Sequence, residues 1–171
     1  HEENRFNNNY ICRYISKNNA NISRIEALYS IFPDATFIVL YRKPMEHAAS
    51  LLRQHLLFSN LQQINPFTLR YMNDLGHYEF GLNAKTLVLK GQFSSKYSMD
   101  CVEYWLDYWI YVYNYLLSEH SDLIFVPLEK LVLEEKKCME SLLSMIKIQD
   151  ISWDTSKKFF KTNENEEFKS V

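Results

Sequence analysis

The sequence predicts a layered α/β fold built around a parallel sheet. Three observations predict it. Residues 36–41 (TFIVLY) form a nearly continuous apolar, β-branched run, the pattern of a strand buried on both faces of a parallel sheet. Helical periodicity flanks that run on both sides. A second apolar run at residues 123–126 (LIFV) again precedes a helical segment, so strand and helix alternate along the chain.

Taken in order, residues 10–16 (YICRYIS) read as a short strand, rich in Tyr and Ile. Cap-like polar sequence follows at 18–21. Ile22, Ile25, Leu28 and Ile31 then recur at three-residue spacing, with Phe32 a turn after Leu28, which predicts an amphipathic helix ending at Pro33-Asp34. The strand at 36–41 ends in Arg42-Lys43-Pro44, and Pro44 suits the first position of a new helix. Met45, Ala49, Leu52 and Leu56 are its expected apolar stripe. Residues 66–75 are expected to be helical and 85–89 to form a short strand, with 60–100 as a whole a variable excursion over the core. Residues 101–119 predict a helix with two stripes, Val102, Trp105, Trp109, Val112 and Leu116 on one and Tyr104, Tyr108, Tyr111 and Tyr115 about 100° round from it. A strand at 123–126, a helix at 129–145 and a charged, fraying tail from Thr155 complete the reading.

The 171 residues suit a single domain, 1–171, with a sizeable core. A net charge of −2 without a basic half argues against nucleic acid as partner. Cys12, Cys101 and Cys138 have neither metal-ligand spacing nor an even count, so a reducing, cytoplasmic setting is expected, with no metal. No apolar run approaches the roughly 20 residues that span a bilayer, and the polar residues 1–9 do not read as a signal peptide. Residue 1 is His rather than Met, which reads as a fragment or a processed product.

The chemistry concentrates after the central strand. In open α/β sheets ligands sit beyond the carboxyl ends of the strands. Arg42 leaves the sheet at such an end, and the helix from Pro44 points its positive terminus the same way. Ser50 lies about 9 Å along that helix, its side chain leaning back toward the start. One guanidinium, one hydroxyl and free backbone N–H groups suit a phosphate monoester, and the planar fork of Arg pairs two phosphate oxygens where Lys cannot. The competing reading is a solvated Arg in an ordinary loop.

Residues 16–25 (SKNNANISRI), 32–38 (FPDATFI) and 41–44 (YRKP), with Ser50 eight residues after Arg42, resemble the central block of the PAPS-dependent sulfotransferases, in the bacterial and related branch. That branch commonly reads K-N-P-x-N-x-x-R-I, then F-P-D-A-x-F-I, then R-N/D-P and a Ser at this distance. Residues 125–131 (FVPLEKL) are similar to the family's Y-E-D-L segment. The resemblance implies a three-layer parallel sheet of the nucleotide-kinase-like (P-loop NTPase-like) type. It also implies sulfonate transfer from 3′-phosphoadenosine 5′-phosphosulfate (PAPS) to a hydroxyl or amine, on a small-molecule or carbohydrate acceptor. Arg42 and Ser50 then correspond to the grip on the 3′-phosphate. Lys17 corresponds to a catalytic Lys near the transferring sulfonate, where a cation neutralises charge on the bridging oxygen; the alternative is a surface lysine. Glu129 matches a family position and is expected to pack or cap.

Two departures stand out. Nothing before Tyr10 resembles the family's phosphosulfate loop, and no glycine precedes Gly76, so the first βα unit is expected to be missing. Asn19 stands where another branch places a catalytic His. Candidate bases are then His47, His55, His77 and Glu79, of which His55 is preferred. The tyrosine stripe reads either as ordinary packing or as the lining of an acceptor cleft. Two rival functions remain: an incomplete or non-catalytic relative that binds at most adenosine 3′,5′-bisphosphate, and a nucleoside or nucleotide kinase, disfavoured by the lack of a G-K-S/T loop.

Overall fold

The computed structural model describes residues 14–148. The chain divides into two compact units, His1–Pro33 and Asp34–Val171.

In the first unit, Asn19–Ser23 form a 3-10 turn, capped by the Asn18 side chain, which accepts from the Ala20 N–H at 2.9 Å. Arg24 leaves helical geometry (φ −127°, ψ 11°), and α1 runs over Ile25–Ile31 with Ile25 buried. The expected helix is therefore split, because the Asn18 cap and the Ser23 hydroxyl bond to the Ala20 carbonyl at 2.9 Å close a tighter turn first. Residues 14–16 form no strand; the rest of that expected strand, residues 10–13, and the tail from Thr155 lie outside the described residues.

The second unit runs β1 (Ile38–Tyr41), α2 (Pro44–Ile64), α3 (Pro66–Asp74), α4 (Val102–Glu119), β2 (Ile124–Pro127), α5 (Leu128–Leu133) and α6 (Glu135–Met145). β1 and β2 pair in parallel, from Ile38 opposite Ile124 to Tyr41 opposite Pro127. Among the described residues this two-stranded sheet and its helices make a mixed α/β arrangement. The expectation that β1 is buried on both faces does not hold there: Ile38 is 36% exposed and Leu40 52%. Both lie on one face by the two-residue alternation of a strand.

α2 also faces inward differently from its apolar stripe. Its buried residues are Ala48, His55 and Gln62, seven apart, while Met45 and Leu56 are exposed. Ala48 has no exposed surface and lets α2 approach α4, where it packs with Tyr104, Trp105, Leu51 and Leu52. The two polar residues are buried because a later loop satisfies them. Gly81 N–H donates to His55 Nδ1 at 3.3 Å, Leu82 N–H donates to Gln62 Oε1 at 2.7 Å, and Gln62 Nε2 points at Met72 Sδ at 3.1 Å.

The segment after Gly81 is held by tyrosines rather than by a strand. Residues 85–89, expected as a short strand, form none among the described residues. Instead Leu89 N–H donates to the Tyr111 hydroxyl at 2.7 Å, Thr86 bonds the Tyr104 hydroxyl, and Tyr108 donates to the Leu87 carbonyl at 3.4 Å. Phe93 packs edge-on against Tyr104 and Tyr108. Three members of the tyrosine stripe thus serve packing. Burial, with Tyr104 beside it, pushes the Tyr108 hydroxyl up to about 12.

The expected helix at 129–145 is two helices, broken at Glu134 (φ −120°, ψ 44°). Leu131, buried, anchors α5, whereas the four consecutive charged residues 134–137 offer no apolar side chain to hold that turn inward.

Candidate functional site

Because β1 and β2 are parallel and in register, both chains leave the sheet at one edge, Arg42 after Tyr41 and Leu128 after Pro127. Lys43 caps α2 and Pro44 starts it. The Lys43 N–H, which has no acceptor within α2, donates to Glu129 Oε1 at 3.0 Å. This bond ties the two strand ends together. It also holds the Glu129 carboxyl below the usual carboxylate range, with the charges of Lys43 and Arg42 adding and burial opposing.

Arg42 is partly exposed, and its guanidinium stands 3.9 Å from Glu46 Oε2; Lys43 Nζ is 3.7 Å from Glu46 Oε1. Glu46 thus occupies the first turn of α2 between two cations, where the helix dipole also favours it. Ser50 is half-buried on the second turn, and its hydroxyl has no hydrogen-bond partner among the described residues. His47 lies between them in sequence. Its Nδ1 is buried and has no partner among the described residues. Burial, and secondarily the Arg42 charge, lower its affinity for a proton, so the imidazole is neutral at pH 7.

On the α4 side, Trp109 stacks on Tyr113 with ring centroids 4.1 Å apart, and Trp109 Nε1 is likewise buried without a partner among the described residues. Burial and the neighbouring Tyr41 hydroxyl push Tyr113 up to about 12. The strand edge therefore gathers two cations, Arg42 and Lys43, and two carboxylates, Glu46 and Glu129. Arg42 and Lys43 can hold an anion that displaces Glu46.

A model of the sulfotransferase family matches residues 2–154. The chain belongs to the sulfotransferase family. No curated protein matches it, and no solved structure does. The match spans the segment around Lys17, the Arg42–Ser50 stretch and Glu129 alike.

Within this sulfotransferase, Arg42 and Ser50 flank the start of α2. Lys17 is exposed in the first unit, just ahead of the 3-10 turn. His55 is 5% exposed, about 17 Å along α2 from its first residue. Gly81 N–H engages its Nδ1, its Nε2 stands 3.5 Å from Asp100 Oδ1, and its ring lies 5.6 Å from that of Trp105. Those partners suit a tie between helix and loop. His77 and Glu79 are exposed and 3.6 Å apart.

An open groove lined by Lys90, Tyr111, Asn114, Tyr115 and Glu119 lies on the second half of α4; it takes in two tyrosines of the stripe, and none of Lys17, Arg42, Ser50 or the candidate bases. Among the described residues no group of three His, Cys, Asp or Glu side chains converges as a metal site, and no helix is long and apolar enough to cross a membrane. Sequence reasoning expected Glu129 to pack or cap, and it caps α2; its partner Lys43 was not foreseen, because the bond spans 86 positions and leaves no local signal. The unpartnered nitrogen of His47 was equally invisible, since burial of one ring atom depends on packing.

Proposed function

We propose that this sulfotransferase moves a sulfonate group from PAPS to a hydroxyl or amine of a small-molecule or carbohydrate acceptor, with Arg42 and Ser50 holding the 3′-phosphate of the donor. The observation that carries this reading is the Glu129–Lys43 bond at the shared carboxyl edge of β1 and β2. It fixes the start of α2 beside Arg42, at the place where α/β sheets bind ligands. The magnitudes favour displacement of Glu46 by a phosphate. A partly exposed ion pair contributes about 0.2–1 kcal/mol, whereas each charge-assisted bond from a guanidinium or helix N–H to phosphate contributes about 1.5–3 kcal/mol.

In the reaction the acceptor oxygen or nitrogen attacks sulfur in line with the sulfur–oxygen bond to the 5′-phosphate. That bond breaks, its electron pair leaves with adenosine 3′,5′-bisphosphate, and the acceptor's proton passes to water. The chain's own part, on this reading, is binding and orientation at the 3′-phosphate, with Lys17 as the cation for the leaving oxygen on the strength of the resemblance of its segment. The two strands belong, on the same reading, to a three-layer sheet of the nucleotide-kinase-like type.

Adenosine 3′,5′-bisphosphate at about 100 times its Kd stabilises a folded binder by about 2.7 kcal/mol, which raises Tm by about 5–10 °C for a chain of this size. Arg42→Ala is expected to abolish most of that rise in a thermal-shift assay. Equal rises in both proteins overturn the assignment of Arg42. Transfer from labelled PAPS to a panel of hydroxyl and amine acceptors then separates an enzyme from a protein that only binds the nucleotide.

A further inference from the structure

We propose that the groove on the second half of α4 binds a neutral sugar unit and so provides a hold on a carbohydrate acceptor. Sugar binding is a property of the groove itself; the acceptor role rests on the reading above.

Helical spacing builds the groove. Tyr111, Asn114, Tyr115 and Ser118 stand at i, i+3, i+4 and i+7, which is one face of α4, and Lys90 and Glu119 complete the lining. Its volume of about 590 Å³ lies in the range of small-molecule sites.

The fit to a sugar comes from what each side chain has left to offer. The Tyr111 hydroxyl accepts from the Leu89 N–H at 2.7 Å and donates to the Lys90 carbonyl at 3.4 Å, and the Tyr115 hydroxyl meets His120 Nε2 at 3.1 Å. Both phenols are thereby held in place, and what they add to the lining is ring surface, against which the C–H face of a pyranose packs. Asn114 is exposed, and its amide has no hydrogen-bond partner among the described residues. One amide both donates and accepts, as sugar hydroxyls do. Ser118, a turn further on, donates to the Tyr115 carbonyl at 3.3 Å and keeps its own oxygen as an acceptor.

Charge decides against an ionic ligand. Lys90 Nζ stands 2.5 Å from Glu119 Oε2. That hydrogen bond holds the Glu119 carboxyl below the usual carboxylate range, so both partners are charged at pH 7 and cancel. An anion or a cation has to compete with this pair to enter. Sugar hydroxyls can bond to its remaining donors and acceptors without separating it.

The test is saturation-transfer NMR of the full chain with lactose, cellobiose and chitobiose as neutral probes and glucuronate as a charged one, each at millimolar concentration. At least one neutral disaccharide is expected to receive saturation, and glucuronate to receive less. Asn114→Trp fills the groove from an exposed position and is expected to remove the signal. Asn114→Ala is expected to weaken the same disaccharide about fivefold in titration calorimetry, which decides the matter even where the Trp variant fails to fold. For an acceptor held there, Asn114→Ala also raises KM about fivefold and leaves kcat unchanged.

No transfer to any neutral disaccharide overturns the proposal, as does binding that neither variant weakens, which places the sugar elsewhere. Tighter binding of glucuronate than of the neutral sugars overturns the choice of ligand. An unchanged KM in Asn114→Ala overturns the acceptor role. A chain that binds a disaccharide in the groove but shows no thermal shift with adenosine 3′,5′-bisphosphate keeps the groove and loses the donor reading; the reverse result loses the groove alone.

Discussion

Glu129 shows how much one side chain can settle. Its carboxylate takes the N–H that Lys43, as the cap of α2, cannot place within the helix, and so fixes where Arg42 leaves the sheet. Gly81 is the matching case on the structural side. Its φ of +94° lies in the left-handed region, and a Cβ there would overlap the Gln62 amide. Its N–H meanwhile feeds His55. Gly81→Ala is therefore expected to destabilise the chain by about 1–3 kcal/mol, from backbone strain and a displaced Gln62. Urea unfolding measures this; a change below about 0.5 kcal/mol would show that the loop relaxes freely.

At the scale of elements, α4 is a post for the excursion between α3 and itself. Among the described residues the segment at 86–90 pairs with no strand, and the hydroxyls of Tyr104, Tyr108 and Tyr111 hold it. Tyr111 is the strongest of these ties, accepting from Leu89 at 2.7 Å and donating to the Lys90 carbonyl at 3.4 Å. Tyr111→Phe keeps the ring contact with Phe93 and removes both bonds. The amide of Leu89 should then exchange with deuterium about tenfold faster or more, while amides in the middle of α2 keep their protection. Uniform acceleration across both would mean that the variant lowers global stability instead. The elements themselves were largely legible. β1, α3, α4 and β2 lie within a residue or two of their expected spans, because periodicity and caps such as Asn65, which accepts from the Phe67 N–H at 3.0 Å, act within one turn; α2 starts at Pro44 as expected but runs on to Ile64, into the stretch expected to be a variable excursion. The inward face of α2 was not legible. His55 and Gln62 are tolerable inside only because the amides of Gly81 and Leu82, 26 and 20 residues further on, arrive to meet them.

For the whole molecule, two histidines of α2, His47 and His55, set a pH dependence. Both His47 and His55 have their proton affinity lowered chiefly by burial, from a reference value of 6.5. A group whose native value lies below its unfolded one contributes stability that is complete above about pH 6.5, and that stability is lost as pH falls through the lowered native value. Thermal melts should therefore show Tm decreasing from pH 7 toward pH 5, ahead of the carboxylates. His55→Gln should flatten part of that limb, and an unchanged slope would show that His55 does not contribute to it. The Glu129 carboxyl acts lower, its contribution present above the reference value of 4.5 and lost as pH falls through the depressed native one.

The sequence alone was enough to establish the α/β class, the positions of most elements and the family, because each of these is written in periodicity or motif over a few tens of residues. Tertiary structure decided which face of α2 turns inward, that the tyrosines hold a loop, that Glu129 takes the Lys43 N–H and that one nitrogen of His47 is covered without a partner among the described residues. Each of these depends on donors and acceptors brought together from distant parts of the chain, and no local pattern encodes which of them will meet.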